Sequence, residues 1–238
     1  MYKNLEIVNK IAHKENNIKE VKDFSYAKNL TSVPITVAEF FEACKNYPIL
    51  FAKDKSNNWF ASIILGFKEN ENLFIDNKGN WDKLHYVPAY VRKYPFVFVE
   101  QNEQEQLLGV EKEFLSVDKK DEKRKFFDDK NENTEFLNNV LIFLNQFQND
   151  SIATKEFIKQ LDEWELLEEK IAIIINEKKE QFNINGFYIV NEEKLKHLSK
   201  KRKEEICNKN ANALITAHLI SLSNIQKLGI KWWKKEQQ

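Results

Sequence analysis

Short apolar and aromatic runs separated by turn-forming residues fill the first half of the chain, and that pattern predicts strands. Pro48–Ala52, Trp59–Phe67, Asn72–Asp76, Phe96–Glu100 and Leu107–Phe114 are the runs in question. One helix interrupts them. Thr36 caps a turn whose apolar face is Val37, Phe40, Phe41 and Cys44, and Glu39 three residues on completes a capping box. This helix ends before Tyr47, because Pro48 disfavours helical geometry in its predecessor. Gln101–Gln106 has no apolar side chain between two strand-like flanks, which predicts the exposed loop of an antiparallel hairpin.

The second half changes period. Phe136, Leu137, Val140, Leu141, Leu144 and Phe147 form one stripe at three- and four-residue spacing, and Phe157, Ile158, Leu161, Trp164 and Leu167 form another. A second hairpin follows, with Ile171–Asn176 facing Phe182–Val190 and Gly186 marking a bend or bulge. Ala211, Leu214, Ile215, His218, Leu222 and Ile225 predict one long amphipathic helix ending near Gly229. Between the halves, residues 118–125 mix both charges without an apolar period and read as a connector. The fold class is therefore α+β: a mainly antiparallel sheet first, then packed amphipathic helices and a second hairpin. A single domain over 1–238 is expected, with lobes 1–117 (strand-rich) and 126–238 (helix-rich) joined by that connector.

Composition narrows the function classes. Of 238 residues, 42% are hydrophobic and 13% aromatic, enough to offset the entropy of ordering a core. Basic and acidic residues number 37 each, which argues against a surface that tracks a nucleic-acid backbone. Cys44 and Cys207 fit neither a disulfide framework nor a zinc pattern, as in a reducing compartment. The amino terminus lacks the continuous apolar core of a secretory signal, and no run approaches the roughly 20 residues of a bilayer span. A cytoplasmic location is expected, with contact to the cell surface only through partners or a leaderless route.

The chemistry-bearing segment is Tyr86-Val87-Pro88-Ala89-Tyr90-Val91-Arg92-Lys93-Tyr94-Pro95-Phe96. Pro88 suits a helix start and Tyr94 must be extended before Pro95, so a short helix leads into a strand. Helical spacing turns Tyr86, Tyr90 and Tyr94 toward one side, and Arg92 is suited to stacking on a ring or to a bidentate contact with carboxylate or phosphate. With Lys93, these residues are the candidate ligand- or partner-binding set. The competing reading is a rigid corner in which the tyrosines fill the core and Arg92 pairs with an acid.

Other chemistry is thin. His13 and Glu15 have a His-x-carboxylate spacing that His218 would complete as a metal triad, but spacing without rigid geometry does not make a site. No metal or other cofactor is expected. Nucleophile elbows and phosphate-binding glycine loops are absent from the sequence. In the tail, Trp232 and Trp233 sit among lysines, a combination suited to a membrane interface or, more simply, to a terminal helix turn packed on the body.

Several segments occur in the order of a known family. Val33-Pro34-Ile35, Asn46–Phe51, Leu65-Gly66, Asn72–Asp76 and the Tyr86–Phe96 block resemble SapC, as do Phe127-Asp128, Thr154 with Phe157, Asn185–Tyr188, Lys194-Leu195 and Ala217–Leu222. The resemblance implies a bacterial protein associated with surface-layer biogenesis, alongside a surface-layer protein and its export machinery. It supplies no catalytic residues. SapC-type chains often carry a second arginine where this one has Lys93, and an acidic insertion before the Phe127-Asp128 element that is missing here. The implied function is a non-enzymatic binding or accessory protein of surface-layer assembly or export, with a protein partner. The alternative is an enzyme that modifies a surface protein or peptide, with or without a metal.

Overall fold

The computed structural model describes residues 1–101, 106–117, 122–175, 179 and 181–236. In chain order the strands are β1 (Leu5–Ile7), β2 (Asn17–Ile18), β3 (Ser32–Pro34), β4 (Ile49–Lys53), β5 (Trp59–Ile64), β6 (Phe96–Glu100), β7 (Gln106–Glu111), β8 (Leu115–Ser116), β9 (Leu167–Ile175) and β10 (Gln181–Val190). The helices are α1 (Phe40–Ala43), α2 (Ala89–Arg92), α3 (Glu135–Glu163), α4 (Glu192–Lys196), α5 (Lys200–Asn208), α6 (Ala211–Ser221) and α7 (Asn224–Glu236). The strands form three sheets, ordered β1-β7-β6, β3-β5-β4-β10-β9 and β2-β8, with antiparallel pairing throughout. The fold is α+β.

The five-stranded sheet draws β3, β4 and β5 from the first half and β9 and β10 from the second, joined where Tyr188 faces Phe51. Phe51 also meets Phe40 of α1, Phe157 of α3 and His218 of α6 through its ring. A second cluster holds Ile18, Phe96, Val110, Phe126, Phe127, Leu137 and Leu144. Helix α3 serves both clusters, with Leu137 and Leu144 in the smaller and Phe157, Ile158 and Leu161 in the larger. The two apolar stripes expected as separate helices are therefore one 29-residue helix, and Trp164 and Leu167 lie beyond its end. No Pro or Gly occurs between the stripes to end it.

Other expectations are corrected by local hydrogen bonding. Asn72–Asp76 is not a strand: the Asn72 amide donates to Ala27 O and its Oδ1 accepts from Phe74 N–H, holding a turn that pairs only at Ile75 and Trp81. The run Leu107–Phe114 leaves the ladder after Glu111 and closes in a 3₁₀ turn. The final helix is broken into α6 and α7, because the Ser221 and Ser223 hydroxyls bond back to the carbonyls of His218 and Ile220 while Asn224 donates to Cys44 O and Tyr47 O. Helix α7 runs on through Gly229, whose missing side chain admits Ile174: a Cβ there would lie 3.2 Å from Ile174 Cγ2. Gly186, at φ +72°, sits where the β9–β10 register shifts, as a bulge requires. Residues 102–105 of the Gln101–Gln106 loop and residues 118–121 of the connector 118–125 lie outside the described residues. Glu122–Arg124 form a 3₁₀ turn.

Candidate functional site

The Tyr86–Phe96 block is built on a buried acid. Glu39 follows Thr36 in a 3₁₀ turn, and its carboxylate folds back to accept the Thr36 N–H at 3.1 Å and hydroxyl at 2.9 Å. Its other oxygen accepts the Tyr86 hydroxyl at 2.9 Å and the Ala89 N–H at 2.7 Å. A carboxylate with only 6% of its residue exposed is thereby satisfied by four donors. Among them is the first amide of α2, which Pro88 precedes as the N-terminal cap rather than as the first helical residue.

Arg92, at the other end of α2, is exposed. Its Nε donates to Val87 O and its Nη2 to the Tyr86 hydroxyl, both at 3.0 Å. The guanidinium also lies over the rings of Tyr86 and Phe143, at 5.7 and 5.3 Å. Tyr86 is thus a bridge from cation to buried acid. Burial, reinforced by the Glu39 carboxylate, pushes its phenol up to about 12, so it stays a proton donor.

Lys93 is half-buried beside rings rather than acids. Its ammonium lies 4.7 Å from the Tyr90 ring, 5.2 Å from Phe147 and 6.0 Å from Tyr2, and it makes no ion pair with the described residues. Burial pushes the ammonium down to about 8. Tyr94 is buried, stacked on Tyr26 at 4.0 Å, edge-on to Phe114, and donates to Glu113 at 3.2 Å. Its peptide bond to Pro95 is cis.

The three tyrosines therefore do not share one wall. Tyr86 serves Glu39 and Arg92, Tyr90 serves Lys93, and Tyr94 belongs to the core. The tyrosines make a rigid corner, but Arg92 pairs with no acid among the described residues, and it and Lys93 edge a groove. That groove, of about 340 Å³, lies between Arg92–Phe96 and α3, with Val140, Phe143 and Leu144 among its apolar lining residues. Arg124, from the 3₁₀ turn within the connector, lines it too and pairs with Glu20 at 3.6 Å. Sequence reasoning missed Glu39 as the hub, because a capping box marks only a helix start. It missed Phe143 and Phe147 because they lie about 50 residues away on α3, where Phe147 reads as an ordinary stripe position and Phe143 falls outside the stripe.

The histidines are occupied locally. His13 accepts the Asn9 N–H at Nδ1 and sets Nε2 3.1 Å from Glu6, while Glu15 points to solvent. His218, in the other core cluster, accepts the Val190 N–H at Nε2 and stacks on Phe51. Burial drives its imidazole down to about 3. His13, Glu15 and His218 do not meet, and no group of three potential metal ligands is found among the described residues. Trp232 is buried against Phe67 and Phe182, and Trp233 is half-buried beside it. No helix among the described residues is long and apolar enough to cross a membrane.

No curated protein and no solved structure matches this chain. The SapC family model does, over residues 8–228, a span that takes in the Glu39 hub, the Tyr86–Phe96 block, the α3 groove and the start of α7. With nearly its whole length matched, the chain belongs to the SapC family.

Proposed function

We propose that this chain is a non-enzymatic binding or accessory protein in the assembly or export of a bacterial surface-layer protein, and that Arg92 and Lys93 form its contact surface. The surface-layer setting rests on what the SapC resemblance implies. One observation carries the choice of surface. Arg92 and Lys93 are adjacent cations on an apolar groove, and neither pairs with a carboxylate among the described residues. Cations held in place by rings, a phenol and a carbonyl, with no carboxylate in direct contact among the described residues, suit a partner that brings an acid alongside an apolar side chain.

The test uses full-length protein carrying a photo-crosslinking residue in place of Asn139, which lines the groove, expressed in the native host. A crosslink to a surface-layer or export protein is expected, and Arg92→Met should reduce its yield roughly tenfold, as loss of a charge-assisted contact would. Equal crosslinking by the Arg92→Met chain would reject the surface. Crosslinks confined to proteins unconnected with the cell surface would reject the setting.

A further inference from the structure

Strand β9 is the outermost strand of the five-stranded sheet. Among the described residues no strand pairs with its free edge, and no backbone hydrogen bond outside the β10 ladder involves Ile171–Ile175. Alternation puts Ala172 and Ile174 on one face and Ile171, Ile173 and Ile175 on the other. The first face is covered: Ile174 touches Gly229 of α7, and its ladder partner Phe182 meets Trp232 at 4.6 Å. The second is bare, with Ile171, Ile173 and Ile175 at 64, 57 and 63% exposure. Folded proteins normally blunt a free edge with lysine, proline, a bulge or short length; Ile171–Ile175 contains no lysine or proline, and the bulge opposite Ile171 lies in β10 rather than in the edge strand. Next to this edge a groove of about 370 Å³ separates β9 from α7, lined by Ile174 and Ile175 on one side and Ile225, Ile230 and Trp233 on the other.

We propose that the β9 edge and the α7 groove together bind an extended segment of a partner protein, added as a sixth strand, with apolar residues at alternate positions and acids between them. A row of unpaired backbone groups is satisfied by another strand, whose apolar side chains extend the bare face of Ile171, Ile173 and Ile175 while the residues between them turn to the α7 side. Charge complementarity selects the acids. From residue 224 to 235 the helix carries Lys227, Lys231, Lys234 and Lys235 and no acidic residue. Lys231 is taken by Asp82 and Lys235 by Glu71. Lys227 and Lys234 make no ion pair with the described residues, and they follow exposed Ile230 one step around the helix. A second copy is the poorer occupant, because it would bring the same lysines toward each other. This site is separate from the Arg92 groove.

The experiment pans a display library of random nine-residue peptides on the full-length chain and on its Ile173→Lys variant, whose substituted side chain stays in solvent. Enrichment of peptides alternating apolar residues with Asp or Glu is expected on the unmodified chain alone. A blocked synthetic peptide of the enriched sequence should slow amide exchange in Ile171–Ile175, bind Ile173→Lys at least roughly tenfold more weakly, and bind Arg92→Met unchanged. Replacing its acids by Lys should weaken it as well. The proposal is overturned if both chains enrich the same peptides or none, if protection appears elsewhere, or if the Lys-substituted peptide binds equally. It is also overturned if sedimentation shows a dimer that Ile173→Lys dissociates, since the edge would then belong to a second copy.

Discussion

The Tyr86 hydroxyl lies 2.9 Å from Oε1 of Glu39 and simultaneously accepts a hydrogen bond from Arg92, so an exposed guanidinium is tied to a buried carboxylate through one phenol. The contact surface and the capping box at Thr36 are therefore one hydrogen-bonded unit. Glu39→Gln keeps the shape but turns an amide NH₂ toward donors, on one oxygen's side or the other. It should lower stability by about 2–3 kcal/mol in urea unfolding, the cost of leaving donors to a buried charge unsatisfied. Tyr86→Phe should cost less, about 1 kcal/mol, because Ala89 N–H and both Thr36 donors still reach the acid. A Glu39→Gln chain as stable as the parent would remove the hub.

Lys93 has a pH signature of its own. With its folded value near 8 against an ordinary 10.5, the unfolded chain binds more protons between those limits, and stability from this group rises with pH across that window. Lys93→Met keeps most of the stem packing and abolishes the charge. It should be more stable than the parent at pH 7 by about 1–2 kcal/mol, once the partial exposure of the ammonium is discounted, and the difference should fade by about pH 10.5. Urea midpoints of the two chains at pH 7, 8.5 and 10 measure it. A difference that does not change with pH would mean that Lys93 titrates normally.

His218 acts in the acid range. Burial depresses its imidazole to about 3, so the unfolded chain takes up the proton first as pH falls below the ordinary 6.5, and stability is lost progressively down to the folded value. Between pH 7 and pH 4.5 this one group should remove about 2–3 kcal/mol. His218→Gln can still accept the Val190 N–H and should lose correspondingly less over the same interval. Parallel losses in the two chains would show that other groups drive acid unfolding.

Cleavage in the connector should not release two fragments. Strand β10 pairs with β4 and the larger core mixes residues from both sides of residue 118, so a nick near Lys123 leaves the apolar contacts intact. Limited proteolysis followed by gel filtration should return a single peak containing both pieces. Separate peaks with independent melting would make the connector a linker between autonomous domains.

Periodicity alone located β4, β5, β6, the β9–β10 hairpin and the stripes of α3, because each buries a face against something and so must repeat at its own period. The short helix after Thr36 was equally legible, since its capping box uses residues three apart in sequence. Breaks were harder to see. The chain leaves helical geometry at Ser221–Ser223 because Asn224 reaches Cys44 and Tyr47, some 180 residues away, and no local pattern encodes that distance.

The sequence by itself determined the α+β class, the apolar faces and the concentration of aromatic and cationic side chains in Tyr86–Phe96, all of which depend on neighbours within a turn or a strand. Tertiary structure alone decided what those side chains do. Three tyrosines at helical spacing part company because Glu39, Phe147 and Glu113 approach from three different elements. The β9 isoleucines, which alternation alone marks as a hairpin strand, are left bare because the ladder ends at their edge and α7 covers only the opposite face. Local periodicity is a property of the backbone, whereas the partner of each side chain is set by which distant surface arrives to exclude water from it.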